Sequence, residues 1–193
     1  MGHSHTILAR IIHWTFIPLY VYGIVKQVDD ISQLEDRSLL MFEVLFATIF
    51  LVIVVLRFGY MRRFDTFLGA SESVPIVHTL LAKTIHRLMY LSLIMLPLTG
   101  LMIAGLFVQG TVDGLPQNIA LSLHEFAASL SYVLIIIHIL AAIYSRIKGD
   151  GVWSSMVPIL KEDGPTSNEM MKRISAIEHD IYVRVEEFFS AKK

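Results

Sequence analysis

The chain has no cysteine among its 193 residues. That absence excludes disulfides, iron–sulfur clusters, thiolate nucleophiles, haem attached through a Cys-x-x-Cys-His motif, and cysteine zinc sites. Any bound metal rests mainly on the eight histidines. Charge is scarce too. Only 17% of residues are Asp, Glu, Lys or Arg, against 54% hydrophobic, whereas soluble domains carry about 25% charged residues. The formal net charge of −1 says little about partners; where the charges stand says more. No nucleic-acid partner is expected.

What the chain has instead is four apolar segments, near residues 8–25, 39–60, 88–108 and 119–145. Each approaches the roughly 20 residues that cross a bilayer as a helix. The first is too long for a cleavable signal, carries Arg10 and His13 too early, and is followed by no A-x-A site. The expected fold class is all-α: an integral membrane four-helix bundle with a C-terminal cytoplasmic amphipathic helix. Residues 1–160 form the four-transmembrane-helix domain in this reading, and 161–193 the cytoplasmic tail.

Basic residues orient the spans, because cytoplasmic loops hold an excess of Lys and Arg. The first connection has Lys26 and Arg37 against Asp29, Asp30, Glu35 and Asp36, and the third has only Asp113. The second connection and its flanks hold Arg57, Arg62, Arg63, Lys83 and Arg87, while the fourth span exits into Arg146 and Lys148. Both termini are therefore expected to be cytoplasmic. Beyond the spans, Gly149-Asp150-Gly151 reads as a turn, and Val152-Trp153 as a segment at interface depth. Thr166 with Glu169 reads as a capping box. Ile174, Ile177, Ile181, Val185 and Phe188 then recur at spacings of three and four, one apolar stripe on an amphipathic helix. Residues 166–189 suit either the membrane surface or a partner subunit.

His124 and His138 stand out within the fourth segment. Fourteen residues span roughly 21 Å of helix and return to within about 40° of the same face. Polar rings are rare in bilayer helices without a use, and imidazole binds iron well. His13 lies one turn into the first span, at the depth expected for His138. Two axial ligands on facing helices are what a six-coordinate haem iron requires. Alone, either ring is equally well explained by a bond to a nearby carbonyl. His86 opens the third segment with His78 before it; both suit a quinone or proton-exchange site beside Lys83 and Arg87, and His86 is the runner-up ligand. His3, His5 and His179 look peripheral. No histidine lies between Trp14 and Ser73, so His124 lacks an evident imidazole partner at its own depth.

These residues resemble the bacterial cytochrome b561 family. Arg10-Ile11-Ile12-His13-Trp14 resembles its opening R-x-x-H-W. His86-Arg87-Leu88-Met89-Tyr90 with Leu96-Pro97-Leu98-Thr99-Gly100 resembles its third helix. Leu123-His124-Glu125, His138 and Tyr144 resemble its fourth, and Gly149 to Trp153 with Met156 and Pro158 the segment after it. The likeness covers about residues 8–158. Its superfamily includes the cytochrome b subunits of nickel–iron hydrogenase and formate dehydrogenase.

The resemblance implies non-covalent haem b, electron exchange with quinone, and the bacterial inner membrane. It assigns His13 and His138 to an inner haem, and His124 to an outer haem shared with a second-helix histidine. Counted back from Arg57, that last position holds Glu43. A carboxylate is a poor axial ligand for an electron-transfer haem. One haem is therefore expected, with His124 redeployed beside Glu43. Gly23, Gly100, Ala127 and Ala141 suit close approach of a porphyrin or ordinary helix packing. Arg62, Arg63, Lys83 and Arg87 suit haem propionates or simple topology. Two readings follow: a free-standing quinone-linked oxidoreductase taking electrons from a small molecule such as superoxide, or a haem-bearing anchor and relay subunit of a respiratory complex.

Overall fold

The computed structural model describes residues 7–63 and 76–190, so His3 and His5 lie outside the described residues. Helix α1 is Ile7–Val25, followed by a 3-10 turn at Ile31–Glu35. Helix α2 is Arg37–Arg63, α3 Ile76–Val108, α4 Leu115–Lys148, α5 Val152–Met156 and α6 Glu169–Ser190. No strand occurs among the described residues. Helices α1 to α4 are each long and apolar enough to cross a membrane.

Hydropathy located these spans but not their ends. Helix α3 starts at Ile76 rather than near Leu88, and α4 runs from Leu115 to Lys148. At 33 and 34 residues they are about 50 Å long, well beyond a hydrocarbon core of about 30 Å. His78 and His86 consequently stand on α3 itself, not in the connection before it and at its start. A helix needs only its own backbone bonds to continue into polar sequence; the apolar run marks the part suited to lipid. Asp36 starts α2 as a cap, accepting hydrogen bonds from the Ser38 N–H at 2.8 Å and the Ser38 hydroxyl at 2.7 Å. Those donors hold its carboxyl below the usual carboxylate range.

The chain divides into two compact units. The first comprises Ile11–Tyr60 and Leu88–Leu134, and within it α1 to α4 close a four-helix ring. An aromatic ladder joins α1 to α2: Phe16 packs on Phe50 at 5.0 Å, and Tyr22 on Phe46 at 5.6 Å. Gly23 belongs to the same seam. A Cβ there would sit 3.2 Å from the Phe46 ring, so this glycine serves helix packing. Phe58 packs on Tyr90 at 5.2 Å between α2 and α3, and Thr99 bonds His124 between α3 and α4. The ring closes between α4 and α1, where the Tyr20 and Ser131 hydroxyls bond at 2.7 Å, both residues buried. The Ser131 hydroxyl also reaches the Ala128 carbonyl at 2.7 Å; with its proton there, it accepts from Tyr20. A Tyr20→Phe, Ser131→Ala double-mutant cycle should show a coupling of about 0.6 kcal/mol, reaching ~1.7 at most. Reversible unfolding in mixed micelles measures it.

The second unit, among described residues, gathers 7–10, 61–63, 76–87 and 135–190. Here the tail folds against the ends of α3 and α4. The Thr166 N–H bonds the Lys148 carbonyl at 3.0 Å, taking up one of the last acceptors of α4. Gly149 lies at φ 78°, and any Cβ on it would run into the Gly164 backbone. The turn expected at Gly149–Gly151 is thus present, for two reasons that each require glycine. The cap of α6 differs from expectation. Asn168, not Thr166, begins the helix, accepting from the Met170 N–H at 2.9 Å and the Met171 N–H at 3.4 Å. Thr166 instead accepts from the Asn168 N–H at 3.3 Å, two residues too early to cap.

Candidate functional site

Each candidate histidine is built into its helix differently. His86 is the simplest. Its Nδ1 lies 2.7 Å from the Ala82 carbonyl, one turn back on α3. A carbonyl only accepts, so Nδ1 carries the proton and Nε2 the lone pair. In the same unit the ring meets His138 edge-on, with centroids 5.1 Å apart and planes at 81°. The structure thus brings together His86 and His138 from α3 and α4.

His124 lies in the first unit. Its Nδ1 stands 3.0 Å from the Thr99 hydroxyl. That hydroxyl sits 2.8 Å from the Met95 carbonyl and 3.0 Å from that of Leu96. With the hydroxyl proton directed at its own helix, Thr99 receives the Nδ1–H of His124. The network therefore assigns the lone pair to Nε2. Gly100 lies beside the ring, where a Cβ would make an ordinary van der Waals contact at 3.5 Å from His124 Cε1. Ala127, one turn along α4, is fully buried. The partner of His124 is Thr99, where a Glu43 contact was expected. Glu43 is half-buried beside the charge of Lys26, and its Oε1 is buried with no hydrogen-bond partner.

His13, also in the first unit, faces a cation. Arg57 Nη2 is 2.6 Å from His13 Nδ1, and Arg57 Nε donates to the Tyr90 hydroxyl at 2.9 Å. The guanidinium also stands over the Phe16 and Tyr90 rings, 5.7 and 5.9 Å from their centroids. Guanidinium only donates, so His13 Nδ1 accepts. Sequence reasoning used Arg57 as a counting mark and missed it as a neighbour of His13. The signal was available: Arg57 stands alone as a charge between Val44 and Tyr60, and intramembrane charges are functional by default. Gln117 was missed as well. It is fully buried, and neither polar side-chain atom has a partner.

A family model described as prokaryotic cytochrome b561 matches residues 4–158. The chain belongs to the prokaryotic cytochrome b561 family. It is a membrane b-type cytochrome of electron transfer, with haem b as the family's cofactor. Neither the curated proteins nor the solved structures supplied a match.

The residues present fit that cofactor by their donor chemistry. No cluster of three or more His, Asp or Glu suited to a bare ion occurs among the described residues. A haem does not need one, because the porphyrin supplies four ligands and the protein only the axial ones. His86 and His124 have Nδ1–H held by an oxygen and the lone pair on Nε2. That is how a protein sets an imidazole for a metal. For His13 to bind iron through Nε2, Arg57 must release Nδ1, since a neutral imidazole carries one proton. α6 lies outside the family match, which ends at residue 158.

Proposed function

We propose that this cytochrome holds one haem b between His13 and His138 and exchanges electrons with the quinone pool of the bacterial inner membrane. Both termini are cytoplasmic in this reading, as the Lys and Arg of the second connection and of the exit from α4 favour. Residues 1–160 act as the haem-binding domain and 161–193 as its cytoplasmic tail. The observation that carries the proposal is the donor set of a family member without cysteine: imidazoles on membrane-spanning helices. When bound, the haem supplies a one-electron carrier cycling between ferrous and ferric iron.

The chain's own residues supply the rest. His13 and His138 supply the imidazoles on α1 and α4. Arg57, 2.6 Å from the His13 ring before it releases Nδ1, brings a fixed positive charge to that neighbourhood. His86 stands edge-on against His138 with its Nδ1 on the Ala82 carbonyl, and in this reading it serves proton exchange with a quinol. Lys83 and Arg87, on the same stretch of α3, favour a species that becomes anionic on reduction. Lipid covers the many exposed apolar side chains of the spans, Leu45 and Leu56 among them.

Purification of the full chain in mild detergent tests this reading. A reducible b-type absorbance spectrum, one haem per polypeptide and reduction by a quinol are expected. A colourless preparation overturns it, and two haems per chain overturn the one-haem assignment. Stoichiometric co-purifying subunits replace a free-standing oxidoreductase by a relay subunit. His124→Ala should leave the haem content per chain unchanged, as pyridine haemochromogen quantitation measures. Loss of half of two haems would sink the assignment.

A further inference from the structure

The tail helix α6 has two unlike long edges. Glu178 on one of them accepts from the Tyr144 hydroxyl at 2.8 Å and from Lys148 Nζ at 3.3 Å. His78 Nδ1 stands 3.8 Å from its other oxygen. Tyr182, one turn on, meets the His78 ring edge-on at 5.8 Å. Glu186, a further turn on, accepts from the Val77 N–H at 3.2 Å, in the opening turn of α3. Burial and then Glu178 push the Tyr182 hydroxyl above the usual tyrosine value. The seam is thus built for a protonated tyrosine.

The neighbouring edge is apolar and exposed. At about 100° per residue, Met170, Ile174, Ile177, Ile181 and Phe188 fall within an arc of roughly 60°. Ile177, Ile181 and Phe188 are 61%, 53% and 59% exposed. Beyond Ile177, about 20° and 40° further round, come Arg184 and Arg173. Glu169 and Glu187 lie on the opposite face, about 180° from Glu178. Apolar stripe, then arginines, then acids is the order met by a helix lying in a lipid surface. The stripe enters the acyl boundary, the arginines reach phosphates and the acids face water.

The attachment fixes which surface this is. The ends of α3 and α4 to which α6 is bound themselves expose Leu80, Leu81, Ile143 and Ile147. Both helices are long and apolar enough to cross a membrane, and these exposed side chains carry their apolar surface to the level at which α6 is held. The ion pair of Arg184 with Asp180, 2.8 Å on an exposed i, i+4 turn, is of the weakly stabilising kind and easily exchanged for a phosphate.

We propose that α6 lies on the membrane surface at the α3 N-terminal and α4 C-terminal end, its isoleucine stripe in lipid and Arg173 and Arg184 on lipid phosphates. The proposal is independent of haem number or ligand identity. The absence of cysteine makes the test direct, since each introduced cysteine carries the sole label. Full-length Ile177→Cys, Ile181→Cys and Glu187→Cys variants are spin-labelled in nanodiscs of mixed zwitterionic and anionic phospholipid. Collision with oxygen, which concentrates in lipid, is compared with collision with a water-soluble nickel chelate. Labels at 177 and 181 should favour oxygen several-fold, and the label at 187 should favour nickel. Adding Arg173→Ala with Arg184→Ala should raise nickel access at 177 at least twofold. Nickel access at all three positions overturns the proposal. So does shielding of 177 and 181 from both reagents, which would mean that a partner subunit or a second copy covers the stripe.

Discussion

His13→Ala and His138→Ala should each abolish b-haem binding, leaving a folded but colourless chain. The expected loss is more than about tenfold in haem per polypeptide. Removing one axial imidazole takes away a strong ligand in a chain with no thiolate to replace it. The readout is the reduced-minus-oxidised spectrum, normalised to protein. Far-ultraviolet circular dichroism confirms that the helices remain. Glycine at the same positions separates ligation from packing, because added imidazole should enter the gap and restore a six-coordinate spectrum. His86→Ala is the decisive control. Its ring touches His138 at 5.1 Å, so a loss of haem there with retention in His13→Ala would move the ligand from α1 to α3. Under the proposal, His86→Ala keeps its haem and loses quinol reactivity.

How much of this was legible in the sequence depends on the range of the interaction. The four spans follow from composition alone, since bilayer thickness sets a length and lipid sets a polarity. The glycines at 149 and 151 announced their turn because few other residues adopt that backbone. The stripe of α6 was visible because its period is local. What escaped was set between segments. Thr166 with Glu169 fits a capping box by spacing, yet Asn168 holds the cap. The two candidates stand two residues apart, and Thr166 is taken up with the Asn168 N–H. The first twelve residues of α3 carry Lys83 and two histidines, so hydropathy stops at Leu88 while the helix begins at Ile76. The pairing of Thr99 with His124 needs the register of α3 against α4, which a single sequence does not contain. The same holds for Arg57 and His13.

Arg57→Leu should lower the haem midpoint potential by on the order of 50–100 mV. With His13 on the iron, the Arg57 charge would stand within about 8 Å of it, which at an effective dielectric near 20 is worth roughly 2 kcal/mol, and about 59 mV corresponds to each tenfold change in a one-electron equilibrium. The sign follows from charge. Ferric haem carries one more positive charge than ferrous, so a nearby guanidinium disfavours the oxidised form and raises the potential. Removing it stabilises ferric iron and moves the midpoint down. The same substitution frees His13 Nδ1 and leaves the Tyr90 hydroxyl without the Arg57 Nε–H. Arg57→Lys keeps the charge but lacks the planar fork whose Nε–H holds the Tyr90 hydroxyl. It should therefore recover most of the potential without restoring the geometry. Potentiometric titration of the three proteins followed by absorbance separates the two contributions. A midpoint unchanged in Arg57→Leu, with haem content intact, would mean that His13 is not an axial ligand of the iron being titrated.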